Sequence, residues 1–312
     1  MDDRELSPGL LERPRPTVFA ALGLMLIAVI GLWLSSLLVA YALPELGAAR
    51  EFATDAVYYL PFVLVPIALY CSRHPGLGEA MRLGPMPPLS TLTVTLAALM
   101  SVYMASAVNG VWSLLLDGIG LHEPEVVVEF ASSRELMLAI VHTAAIPAIF
   151  EELLCRGFVL SALESRGTRF AVWTSALMFA LMHGNVYGLP AYLLVGAVSG
   201  FLVFAMDSIY AGIVYHTVYN TVILVVVYMI PRLQPSAEAA PSAGVGLSVV
   251  IDALVLGLSM FLLLRSVDLR RRIRGIEAVP RIREPLRRGE RVLLIALAIV
   301  YIGTSALVLL GV

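Results

Sequence analysis

A few polar side chains stand inside otherwise apolar stretches of this chain: Glu151, Glu152 and Arg156 in one, His183 in a second, His216 and Asn220 in a third. Groups of this kind are costly in hydrocarbon and call for a partner, a wet cavity or a reaction. At about 100° per residue, Glu152 and Arg156 share a helix face while Glu151 points roughly 100° away. An acid followed by Arg four residues on is also the favourable order for a helical ion pair. The spacing therefore predicts that Glu152 and Arg156 brace the site, leaving Glu151 without a partner and facing a cavity. Pro147, one turn earlier, has no N–H to donate and is expected to kink the helix and free a backbone carbonyl near the carboxylates. His216 and Asn220 are four apart, as are Phe179 and His183, so each pair shares a face.

One carboxylate, two imidazoles and a carboxamide converging in a low-dielectric cavity suit hydrolysis of an amide bond. Glu151 would take a proton from a water that His183 orients, and His216 and Asn220 would donate hydrogen bonds to the tetrahedral oxyanion. Alternatively, Glu151, His183 and His216 would bind a divalent metal such as zinc, leaving its fourth position to water. Spacing alone leaves both routes open. The H-E-x-x-H zinc-protease signature is absent, since His122-Glu123 is followed by Pro124-Glu125-Val126, and there is no G-x-S-x-G elbow. Two other functions compete. A proton-coupled transporter would use similar buried groups, but it predicts a second, matching copy of the cluster, and none is visible. A non-catalytic membrane scaffold or immunity factor would keep the pocket without using it.

The elements that must position these groups are membrane helices. Of the 312 residues, 59% are hydrophobic and 14% charged, against about 25% charged in soluble domains. On the criterion of roughly 20 apolar residues per crossing, nine spans are expected: 17–43, 56–72, 89–116, 136–163, 170–189, 191–206, 209–230, 247–264 and 292–312. The first is too long for the h-region of a cleaved signal, about 7 to 15 residues, and reads as a retained span. Counted from the Arg-rich ends at about 1.5 Å per residue, Glu151 and His183 lie roughly 20 Å deep, Asn220 about 16 Å and His216 about 10 Å. His142 and Asn109 read as helix-to-helix hydrogen-bonding groups, Asp252 as an interface residue. Cys71 and Cys155 sit in or beside apolar runs, so no disulfide framework is expected.

All 21 basic residues are Arg, and 17 fall in segments 1–16, 73–88, 164–169 and 265–291. Basic loops stay on the cytoplasmic side, which predicts a cytoplasmic N-terminus. Segment 265–291 holds ten Arg against Asp268, Glu277, Glu284 and Glu290, a local +6. It reads as a topology anchor against anionic lipid; without interleaved aromatics and beside a membrane, a nucleic-acid partner is not expected. Segment 231–246, rich in Pro, Ala and Ser, reads as a flexible outer loop. Oligomeric state is not legible.

The ordered set E-E-x-x-x-R (Glu151 to Arg156), F-x-x-x-H (Phe179 to His183) and H-x-x-x-N (His216 to Asn220) resembles the CAAX protease and bacteriocin-processing family of intramembrane endopeptidases, related to the type II CAAX prenyl endopeptidases. The resemblance covers about 100 residues. It implies an all-helical membrane protease core, formed by the fourth to seventh of the spans counted above, so the fold expected is all-α, a polytopic membrane helix bundle of about nine transmembrane helices. The chain would divide into N-terminal spans (1–130), the core (131–231) and two C-terminal spans (247–312) joined by segment 265–291. The resemblance further implies that Glu151, His183, His216 and Asn220 carry catalysis, supported by Glu152, Arg156 and Phe179. Its members are commonly labelled metalloproteases, although a metal-free glutamate mechanism is equally allowed. The partner implied is a membrane peptide or protein, prenylated in some members. The Arg-only, Ala-rich composition suggests a bacterial inner-membrane protein, for which routine prenylated substrates are not expected.

Overall fold

The computed structural model describes residues 14–42, 49–124, 130–233, 245–282 and 284–309. Among them all regular structure is helical, in the order α1 (Val18–Ala42), α2 (Ala49–Tyr59, continuing as Val65–Arg73), a short α3 (Leu77–Ala80), α4 (Pro88–Gly118), α5 (Ser133–Arg166), α6 (Thr168–Met182), α7 (Leu189–Met206), α8 (Ile209–Leu233), α9 (Val245–Ile273) and α10 (Arg288–Leu309). Seven of these are long and apolar enough to cross a bilayer, and the chain is an integral multi-pass membrane protein. Segment 234–244, Glu125, Glu129 and the side chain of Asp252 lie outside the described residues, so the outer-loop and interface readings placed there are not addressed.

Two helices depart from α geometry where proline removes a donor. In α2, residues Leu60–Leu64 form a π-helical turn containing Pro61, with Pro66 just after it; in α5, Ile140–Ala145 is π-helical immediately before Pro147. A proline has no N–H for the carbonyl four residues back and its ring crowds that carbonyl; a wider turn accommodates both. A second π-helical stretch of α5, Leu153–Leu160, contains no proline and carries Arg156 and Gly157.

The expected fifth span, 170–189, is shorter than predicted. α6 ends at Met182, and His183 is its C-cap. Gly184 follows in the left-handed region (φ 62°), its N–H bonded to Leu181 O at 3.1 Å, and Asn185 Oδ1 accepts from Tyr187 N at 2.8 Å. Glycine pays no Cβ penalty there, so Gly184-Asn185 stops the helix at 15 residues. That is about 22 Å of rise, less than a hydrocarbon layer, and His183 stands at a helix end rather than within a span.

Described residues of the four Arg-rich segments meet at one end of the bundle. Glu164 at the foot of α5 accepts two bonds from Arg82, at 3.0 and 2.8 Å, and lies 3.6 Å from Arg15. Arg166 pairs with Glu290 at 2.7 Å. Segment 276–282 folds back over the α5–α6 turn: Thr168 N donates to Val279 O (3.0 Å), Val279 N to Thr168 Oγ1 (2.9 Å) and Ile282 N to Arg166 O (3.2 Å). At the opposite end Trp112 Nε1 donates to Val186 O and Tyr187 Oη to His122 O. Between the ends, α6 packs along α7, and α8 lies against α4 and α5. That packing brings three polar stretches, separate in sequence, around one point.

Candidate active site

Small residues let the helices close on that point. A Cβ on Gly212 of α8 would collide with Glu152 Oε2 and reach within 2.8 Å of Val203 and 3.0 Å of Ser199; one on Gly196 of α7 would stand 3.0 Å from the Ala176 backbone. Both glycines thus admit backbone where a methyl group would not fit, as small residues do at membrane helix contacts.

Glu152 and Arg156 form the brace. Both are fully buried, with Arg156 Nη1 donating to Glu152 Oε1 at 2.9 Å. Arg156 Nη2 donates to Gly196 O at 2.9 Å, and Ser199 Oγ donates to Glu152 Oε2 at 2.7 Å. The guanidinium lies over the face of Phe179, 4.5 Å from its centroid, where the ring quadrupole attracts a cation. Phe179 meets His183 and His216 edge-to-face at 4.8 and 5.5 Å, so one buried ring spaces the guanidinium and both imidazoles. His216 is itself attached to the brace, its Nδ1 3.2 Å from Glu152 Oε1.

Beside the brace is a cavity of about 330 Å³ whose lining includes Glu151, Phe179, His183, His216, Asn220 and Tyr192. Glu152 and Arg156 are not part of its lining. The division between a bracing and a cavity-facing glutamate therefore matches the geometry. The expectation that Glu151 has no partner does not: Tyr59 Oη of α2, buried and stacked on Phe150 at 4.9 Å, donates to Glu151 Oε1 at 3.1 Å. Sequence reasoning had no access to this contact, which joins residues 92 apart and depends on how α2 docks on α5. Tyr59→Phe should lower kcat about tenfold with KM little changed, because one hydrogen bond to a charged group contributes about 1.5 kcal/mol and about 1.4 kcal/mol is tenfold in rate. Steady-state cleavage kinetics of the purified variant would test this; an unchanged kcat would remove Tyr59 from the site.

The remaining hydrogen bonds fix which atoms face the cavity. His183 Nδ1 is 2.8 Å from Phe179 O. A carbonyl can only accept, so Nδ1 carries the proton and neutral His183 presents the Nε2 lone pair. Its ring is held flat against Tyr192 of α7, centroids 4.2 Å apart and planes within 16°. Asn220 Nδ2 donates to Thr143 O at 3.3 Å. Thr143 is four residues before Pro147, which has no N–H to offer its carbonyl, and the amide keeps a second N–H for the cavity.

Among the described residues no three His, Cys, Asp or Glu side chains form a group that could hold a metal ion. His183 and His216 each have Nδ1 engaged elsewhere, and Tyr59 engages one Glu151 oxygen.

The all-helical membrane bundle encloses a carboxylate, two imidazoles and an amide, the groups that hydrolysis of an amide bond would use. Within it, residues 133–222, from the start of α5 into α8, match the family model described as Rce1-like, type II CAAX prenyl endopeptidase Rce1-like. The chain is similar to these endopeptidases over that segment, which contains all three motifs. No curated protein and no solved structure matches the chain.

Proposed function

We propose that this protein is an intramembrane endopeptidase that hydrolyses a peptide bond of a membrane-associated or prenylated-type peptide with a water activated by Glu151. The observation that carries the reading is the shared cavity onto which Glu151, His183, His216 and Asn220 all open. A water between Glu151 and the His183 Nε2 lone pair would have both hydrogens accepted. Glu151 takes one proton as the oxygen attacks the peptide carbonyl carbon. The free N–H of Asn220 and Nε2 of His216 then donate to the oxyanion. Glu151 returns the proton to the amine as the C–N bond breaks, giving a new carboxyl and a new amino terminus.

The rest of the cavity wall, with Val195, Tyr219, Ile223 and Leu224 among its residues, suits an apolar substrate segment. The concentration of Arg in four segments of the sequence favours an inner-membrane topology with the N-terminus cytoplasmic. Purified protein cutting a lipid-anchored peptide library should keep its full rate after prolonged treatment with a strong chelator, and zinc added back should not raise it. Loss of cleavage on chelation with recovery on metal addition would overturn the glutamate mechanism while leaving the protease assignment in place.

A further inference from the structure

A second cavity, of about 490 Å³, lies between the first turns of α6 and the segment folded over them, lined by Gly167, Arg169, Phe170, Trp173 and residues 278–281. Two positive charges open onto it and none of its lining residues is acidic. Neither Arg169 nor Arg281 is paired with a carboxylate among the described residues, unlike Arg82, Arg166, Arg271 and Arg272 nearby, which are. Both guanidiniums are exposed, yet Arg281 is held in place, stacked 3.6 Å from the centroid of Phe170. The segment beneath it is pinned by the Thr168–Val279 pair of bonds and by Ile282 N to Arg166 O. Close packing fixes it further: a Cβ on Gly167, whose φ is 111°, would come within 2.8 Å of Arg281 Cα. Trp173, one turn deeper along α6, is 60% exposed, as interfacial Trp residues that sit at the headgroup level are.

We infer that this cavity is a binding site for an anionic glycerophospholipid, with Arg169 and Arg281 on the headgroup phosphate and Trp173 and Phe170 against the glycerol and upper acyl region. Guanidinium forks match phosphate oxygens. A site with charge at one wall and an aromatic facing the acyl layer fits a lipid better than a free anion, which would leave the Trp173 side unused. The site is separate from the peptide cavity and does not rest on the proposed protease activity.

The test is native mass spectrometry of the purified protein titrated with phosphatidylglycerol, phosphatidylcholine or inorganic phosphate. One phosphatidylglycerol should be retained at least tenfold more tightly than phosphatidylcholine. Arg169→Gln with Arg281→Gln should abolish that preference, while Arg270→Gln with Arg288→Gln, which removes equal charge outside the cavity, should keep it. Thermal unfolding in phosphatidylcholine micelles establishes that both double variants are folded; if the first is not, Arg169→Gln alone is titrated and should show a partial loss. Equal retention of the two lipids, equal loss in both double variants, or displacement of the lipid by millimolar inorganic phosphate would each overturn the proposal.

Discussion

Glu151→Gln should abolish peptide cleavage, lowering kcat about a thousandfold, while the protein expresses and unfolds at the wild-type temperature. Positioned general bases contribute about 10² to 10⁴ in rate, and Gln cannot take the proton. The amide keeps the shape and can still accept from Tyr59 through its oxygen, and the bracing pair of Glu152 and Arg156 is untouched. Thermal unfolding alongside cleavage by the purified variant would check both halves; a variant that cuts at wild-type rate ends the assignment of Glu151 as base.

Arg156→Met should act through the fold. It removes the partner of a fully buried Glu152, the donor to Gly196 O and the cation over Phe179. Breaking one side of a buried ion pair costs about 3 to 5 kcal/mol, because the remaining charge is left uncompensated. The expected result is a sharp drop in membrane-integrated protein and in unfolding temperature. Adding Glu152→Gln should recover much of the stability, since neutral replacement of both partners is tolerated better than loss of one. It should not recover activity, because His216 loses the carboxylate that accepts from its Nδ1. Rescue of stability without rescue of cleavage separates this bracing role from catalysis; failure of the double variant to regain stability would contradict it.

How far the sequence carried the reading follows from the range of the interactions. Contacts within one helix were legible: the four-residue spacing of Glu152 and Arg156 became a 2.9 Å ion pair, and the E-E-x-x-x-R, F-x-x-x-H and H-x-x-x-N stretches did converge on one cavity. The longer apolar runs became helices with ends close to those expected, α1 at Val18–Ala42 against 17–43 among them. The particular hydrogen bonds between helices were not legible. The Tyr59 hydrogen bond to Glu151 needs the docking of α2, and the tie of His216 to Glu152 needs α8 to approach α5 over Gly212. Some signals were present but unread. Gly184-Asn185 is a helix stop, and Gly196 with Gly200 forms a G-x-x-x-G of the kind that lets membrane helices touch. The π-helical stretch Leu153–Leu160 has no signature in local propensity.

The measurement closest to the central claim is a comparison of the membrane-peptide content of cells carrying Glu151→Gln with that of wild type. A discrete set of uncut peptides should accumulate in the variant, and the purified wild-type protein should cut the same peptides in ¹⁸O-water to leave one label in each new carboxyl terminus. Identical peptide content in the two strains, or label-free products from the wild-type enzyme, would contradict water attack promoted by Glu151.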